Sequence, residues 1–193
     1  MQRDSLSKER GHHIEVVPVT SRHWTTLATL FTAADFTREC WCMWPRLAPG
    51  AYCPGAATYR EDLHALVNSG NPPGLIGLRG GRAVGWCAVG QYGQYPQYAP
   101  QSDGAMPGRN IWAIPCLFVA ADARGSGVAG ALIRAAADHA SSLGATAILG
   151  PPPWWLPGDA AAVAATAAAF LANGFTKIGA GARMPLLRRD VVQ

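Results

Sequence analysis

The run Val119-Ala-Ala-Asp-Ala-Arg124-Gly125-Ser126-Gly127-Val128-Ala129 constrains this chain more than any other, because it joins a strand end, a basic glycine turn and a helix start. Upstream, Asn110-Ile-Trp-Ala-Ile-Pro-Cys-Leu-Phe-Val119 is dense in bulky apolar and aromatic residues and reads as a buried strand. Pro115 has no N–H to give to a ladder, so it predicts a break or bulge midway along that strand. Downstream, Val128, Leu132, Ala136, Ala140 and Leu143 recur at helical spacing, with Arg134, Asp138 and Ser141 on other faces. A helix that opens on glycines offers unpaired N–H groups and the positive end of its dipole, with no side chain in the way. With Arg124 beside them, these donors suit a diphosphate.

Pattern narrows the diphosphate. The Walker sequence is absent. Gly125-Ser-Gly127-Val-Ala-Gly130 formally matches the dinucleotide fingerprint, yet the next strand, 145–149, runs into Gly-Pro-Pro-Pro instead of ending on the acidic residue that the fingerprint needs. Read with its arginine, Arg124-x-x-Gly127-x-Ala129 resembles the Arg/Gln-x-x-Gly-x-Gly/Ala signature of the GNAT superfamily of acyl-CoA-dependent N-acyltransferases. The distant Ala-Ala-Phe170-Leu-Ala-Asn-Gly174-Phe175 is similar to that family's late helix followed by Gly-Phe. In element order the resemblance runs from Ile14 to Arg188, with close motif matches over 117–130 and 167–175.

The resemblance implies an α/β fold, a mixed and mostly antiparallel central sheet flanked by helices, in which the fourth and fifth strands splay apart around the pantetheine arm of acetyl-CoA. Carried over by position, the main chain of Leu117, Phe118 and Val119 would hold pantetheine, and Arg124, Gly125, Ser126, Gly127, Val128 and Ala129 the pyrophosphate. Two positions depart from the pattern. No acidic residue lies between Ile111 and Ala121, where many members carry a glutamate or aspartate, and Phe170 stands where many have tyrosine.

Acyl transfer to an amine requires the free base as nucleophile and a donor for the oxyanion. Candidates for the acid and base work are Tyr92, Tyr95 and Tyr98 in the long segment from Gln91 to Arg109, with Asp103, Glu39, Glu61 and His64. The resemblance places the acceptor side after the first helix, near Trp41 and Met43, with Tyr95 as a further wall; the bland reading of Cys40 to Trp44, and of Trp86, Cys87 and Trp112, is core packing. Cys116 lies next to the expected thioester, although direct transfer needs no covalent step.

The bulk properties are compatible with this. A chain of 193 residues, 49% hydrophobic and 15% charged, fits one globular domain over 12–193 behind a flexible tail at 1–11. That tail carries charges of both signs and no apolar core, which points to the cytoplasm. The alanine-rich run from Ala160 to Ala172 is 13 residues long, short of the roughly 20 that cross a bilayer. Five cysteines suggest reduced thiols, and Cys40, Cys42 and Cys53 lack the Cys-x-x-Cys pairing of a zinc site, so no metal is expected. The net charge of +4 suits an anionic ligand, and its scattered basic residues speak against nucleic acid.

Along the chain the pattern predicts a strand at 13–19, a helix from Thr20 or Ser21 to about Ala33, a helix capped by Thr58, a hairpin over 74–90, the strand and loop above, a strand at 145–149, a helix at 159–173, and strands near 175–178 and 183–187. The expected activity is N-acetyl transfer from acetyl-CoA to a primary amine of a small molecule, in a monomer or homodimer. A non-catalytic acyl-CoA-binding or regulatory module is the alternative from another class, and a nucleotide binder the third.

Overall fold

A computed structural model describes residues 13–97, 109–151, 160–178 and 186–191. Seven strands form one sheet: β1 Glu15–Pro18, β2 Gly74–Arg79, β3 Arg82–Gln91, β4 Ile111–Val119, β5 Ala147–Leu149, β6 Thr176–Ile178 and β7 Leu186–Asp190. Their order is β1-β2-β3-β4-β5-β7-β6. Every neighbouring pair is antiparallel except β4 and β5. The helices are α1 Trp24–Thr32, α2 Asp35–Cys40, α3 Ala56–Asn68, α4 Val128–Ser142 and α5 Ala160–Leu171.

Alternation along the strands divides the core into two layers. Leu27 and Phe31 of α1 and Leu63 and Val67 of α3 pack with Ile76, Trp86 and Ala88 on one face. Leu132, Ile133, Ala136 and Ala140 of α4 and Phe170 of α5 pack with Val84, Cys87 and Val89 on the other. The helix α4 lies so close to β3 that a Cβ on Gly85 would stand 2.7 Å from Val128 Cγ1 and 2.8 Å from Leu132 Cδ1. Glycine there is a packing requirement.

The bulge expected at Pro115 is present. Ala88 pairs with Cys116 and Gly90 with Ala113, so Ile114 and Pro115 together face Val89. One extra residue reverses which face the following side chains take. Accordingly Trp112 and Ile114 belong to the α4 layer, and so does Leu117, three residues on, while Cys116 and Phe118 pack toward α1 and α3.

Several element boundaries differ from the sequence reading. The six-residue helix α2, which follows the first helix, was not expected; its short stretch Asp-Phe-Thr-Arg-Glu-Cys offers too little periodicity to register, and Thr37 anchors it by donating to the Phe31 carbonyl at 2.7 Å. Helix α3 begins at Ala56 with Gly55 as its cap, so Thr58 lies inside the helix and caps nothing. Of the strand expected over 183–187, positions 183–185 lie outside the described residues, and from Leu186 the strand runs on through Arg188 and Arg189, opposite Leu149 and Ile148. Pairing on both sides holds those charges in a strand that their polarity alone would end.

Candidate active site: a cleft between the glycine loop and an alanine helix

Beyond the bulge the sheet opens. The β4–β5 ladder stops at Ala113 opposite Leu149, whereas β4 continues to Val119. Gly150 turns away and donates its N–H to Leu187 on β7 at 2.8 Å. Past Ala113, therefore, no strand lies on the β5 side of β4 among the described residues.

A cleft of about 630 Å³ occupies this region. Leu117, Phe118 and Val119 form one wall, and Arg124, Gly125, Gly127, Val128 and Ala129 form its floor. Eight of the nine residues expected around acetyl-CoA thus line one cavity; the ninth, Ser126, lies in the same loop and braces it. Its hydroxyl donates to the Ala123 carbonyl at 2.6 Å and receives Arg79 Nη2 at 2.8 Å. Arg79 therefore brings a second guanidinium to the loop, and no sequence pattern pointed to it. It lies 45 residues before Arg124 in the chain (124 − 79) and reaches the loop only because β2 ends there.

The loop geometry requires glycine. Gly125 and Gly127 have φ of +73° and +86°, and a Cβ on either would meet nothing within 4 Å. What matters is the backbone, which an L side chain strains in this region. Gly127 caps α4, and the first helical hydrogen bond is from Ala131 N to the Gly127 carbonyl. The amides of Val128, Ala129 and Gly130 thus precede the helix's own acceptors and open on the cleft.

The opposite wall is α5, through Ala161, Ala162, Ala165, Thr166 and Ala169. In the sequence this alanine run reads only as a helix; its small side chains are what leave the cleft wide. Phe170, on the same helix, points the other way. It is fully buried, meets Phe175 edge-on at 4.9 Å and packs against Gly150.

The remaining candidates divide by position. Tyr95 is 1% exposed and packs on Ile111, Ala113 and Leu149, the residues at which β4 and β5 part. Its hydroxyl accepts from Arg46 Nη2 at 3.1 Å, and the Arg46 guanidinium also lies 4.7 Å from the ring centre. Burial pushes the Tyr95 phenol well above its ordinary range and outweighs Arg46, which acts the other way. Tyr92 is half-buried in the same cluster. Tyr98 and Asp103 lie outside the described residues.

Trp41 and Met43 are core residues at 2% and 7% exposure. Trp41 and Cys42 both adopt positive φ, 44° and 53°, which turns the Trp41 indole inward against Phe31 and Trp24. Buried Cys42 accepts from Trp86 Nε1 at 3.1 Å. Cys116 is half-buried on the α1 and α3 side of β4 and does not line the cleft. Glu61 is exposed, and exposed His64 stacks on Trp24 at 4.3 Å. Glu39 lines a second, apolar pocket beside α2. Among the described residues no group of three or more His, Cys, Asp or Glu side chains could hold a metal, and no helix is long and apolar enough to cross a membrane.

A mixed sheet whose single parallel pair opens over a glycine loop at a helix start defines an acyl-CoA-dependent acetyltransferase. The model of the acetyltransferase (GNAT) family matches residues 32–151, and the chain belongs to that family. Solved structures share the fold. The GNAT domain of S. lividans PAT is 18% identical with a TM-score of 0.61, over 92% of this chain and 90% of that one. Diaminobutyrate acetyltransferase EctA from Paenibacillus lautus, solved with L-2,4-diaminobutyric acid and coenzyme A, is 14% identical with a TM-score of 0.56, over 94% and 96%. N-acetylglutamate synthase from Neisseria gonorrhoeae, complexed with coenzyme A and N-acetyl-glutamate, is 14% identical with a TM-score of 0.53; 94% of this chain is covered, but only 36% of the synthase. No curated protein matches this sequence.

Proposed function

We propose that this protein transfers an acetyl group directly from acetyl-CoA to a primary amine of a small molecule, within one acyltransferase domain over residues 12–193. The observation that carries the reading is the single cleft joining the open edge of β4, the arginine-glycine loop and the first turn of α4. Amides of the loop and helix start hold the diphosphate, Arg124 and Arg79 add positive charge, and the thioester lies where β4 and β5 separate. The acceptor approaches from the α1 and α3 side, where Tyr95 is packed.

Two steps need a proton account. The amine must arrive uncharged, and the coenzyme A sulfur leaves as a thiolate or takes a proton. A lysine-like amine is about three pKa units from neutral at pH 7, roughly 4 kcal/mol, whereas an α-amine needs only about 1 kcal/mol. With no carboxylate on β4 to take its proton, an acceptor of lower amine pKa fits better. As the tetrahedral adduct collapses, the proton that the amine nitrogen loses is the one the leaving sulfur takes up, and Tyr95, whose oxygen accepts from Arg46 and whose phenol burial holds neutral, is the candidate to hydrogen-bond the reacting groups without giving up its own proton.

The test is coenzyme A thiol release over a panel of small amines, with binding of acetyl-CoA measured separately. Tight acetyl-CoA binding with turnover on an amine, reduced in Tyr95→Phe, supports the reading. The absence of an acid on β4 and the inward-facing Phe170 favour a second reading, a non-catalytic acyl-CoA-binding module. Binding without thiol release on any amine selects that one. Stabilisation by ATP or NAD alone overturns both.

A further inference from the structure

The last rung of the β4–β5 ladder, Ala113 opposite Leu149, is covered by Tyr95 on the face that Trp86 and Ala88 turn to α1 and α3. Strand β3 ends at Gln91, one turn over Tyr92–Gln94 reverses the chain, and Tyr95 is laid back across the strands. Its ring packs on Leu149 of β5 and on Ile111 and Ala113 of β4. Its hydroxyl reaches Gly90 of β3, where a Cβ would stand 2.9 Å from the phenol oxygen. Glycine at 90 is what lets the ring lie this close to the sheet.

These residues form an apolar cluster of their own, with Tyr92 and Ile178 at its edge, separate from the two layers that carry the fold. Tyr95 is the largest side chain buried in it. Arg46 fixes the ring, with its guanidinium 4.7 Å from the ring centre and Nη2 donating to the hydroxyl at 3.1 Å. The same arginine reaches Gln94 Oε1 at 3.5 Å, in the turn that carries Tyr95.

The cleft directs an extended ligand toward this point. From Val119 to Leu117 its wall is the open edge of β4, and the same edge, followed further, ends at Ala113 where β5 closes it. Leu117 and Ala113 are four positions apart (117 − 113), no more than about 13 Å of strand. On the α4 side the end of this path is packed core, because Phe170 Cδ1 and Leu187 Cβ would each stand 3.1 Å from a Cβ on Gly150. On the other side it is Tyr95, and the residues beneath the ring, Ile111, Ala113 and Leu149, are the apolar lining that a hydrocarbon chain favours.

We propose that Tyr95 is the stop for the donor's acyl chain: its ring fills the apolar space into which a chain longer than acetyl would extend, so the ring and not the hydroxyl limits acyl length. This role rests on the transferase reading, which supplies the direction of the thioester. Because the cluster is separate from both layers, removing the ring empties an apolar space at the end of the path and leaves the core closed. Each methylene buried there is worth about fourfold in affinity. The four additional methylenes of hexanoyl-CoA therefore distinguish a closed end from an open one.

Calorimetric titration of the full chain with coenzyme A, acetyl-CoA and hexanoyl-CoA tests this without turnover. The wild type should bind acetyl-CoA at least tenfold more tightly than hexanoyl-CoA. Tyr95→Phe keeps the ring and should keep that ratio. Tyr95→Ala should bring the ratio to one or reverse it, with affinity for coenzyme A itself unchanged, because Tyr95 does not line the cleft. Tyr95→Leu leaves a smaller space in a cluster that stays filled, and it should shift the ratio of acetyl-CoA to butyryl-CoA affinity in the same direction; it decides the matter where the alanine variant does not fold. A wild type indifferent to chain length, a ratio lost in Tyr95→Phe, or a ratio unchanged in folded Tyr95→Ala or Tyr95→Leu overturns the assignment. A wild type that binds no coenzyme A overturns the transferase reading and this role with it, an outcome distinct from coenzyme A binding without discrimination between chains.

Discussion

Gly127→Ala separates what the glycine loop does for the fold from what it does for the ligand. Gly127 has φ of +86° and open space around its missing Cβ, so the substitution adds backbone strain without a clash. An L residue in that region costs about 1–2 kcal/mol. For a chain of this size each kcal/mol lowers Tm by roughly 2–4 °C, giving a fall of about 2–8 °C. Gly50 provides the control, because its φ is +76°, it too has nothing within 4 Å, and it does not line the cleft. Gly50→Ala should therefore lower Tm by a similar amount. Only Gly127→Ala places a methyl on the cleft floor, where the proposed diphosphate site meets the amides of α4. Loss of one such charge-assisted hydrogen bond, roughly 1.5–3 kcal/mol, weakens coenzyme A binding about ten- to hundredfold. Differential scanning fluorimetry reads the first effect and calorimetric titration with coenzyme A the second. Coenzyme A affinity in Gly127→Ala equal to that in Gly50→Ala would refute the placement of the diphosphate, and an unchanged Tm in both would refute the strain argument.

Three further outcomes follow from the same contacts. Gly85→Ala pushes a Cβ into Val128 and Leu132 and should destabilise the protein by about 1–3 kcal/mol, read as a lower urea midpoint; an unchanged midpoint means α4 does not lie that close to β3. Arg79→Leu removes the guanidinium that Ser126 accepts and should raise KM for acetyl-CoA several-fold at unchanged kcat, whereas a fall in kcat alone would place Arg79 elsewhere in the mechanism. His139 is held below its ordinary pKa by burial beside Trp112. Its stabilising share is complete above the unfolded value of about 6.5 and declines as pH falls toward the lower folded one. Denaturation midpoints should therefore drop below pH 6.5, and His139→Phe should flatten that slope; an identical slope in the variant assigns it to other groups.

The loop that lines the cleft is legible in the sequence because its residues are contiguous. Arg124, Gly125, Gly127, Val128 and Ala129 line the cleft in the order in which they stand in the sequence, with Ser126 bracing the loop between them. Pro115 announced the bulge for a similar reason, since a missing N–H is a property of one residue. Contacts between distant elements lack that contiguity. Tyr95 with Arg46, and Arg79 with Ser126, each join residues from different elements. Polarity misled at Arg188 and Arg189, where strand pairing overrides it, and the brevity of α2 hid the element that walls the second pocket.

By itself, then, the sequence determined the class of fold and the glycine turn between β4 and α4, because strand, turn and helix start are adjacent and their physics is short-range. Only the tertiary structure decided that the alanines of α5 form the far wall of the cleft and that Phe170 faces inward. Those outcomes depend on how helices pack on the two faces of the sheet, and side-chain burial is settled by that packing and not by neighbours along the chain.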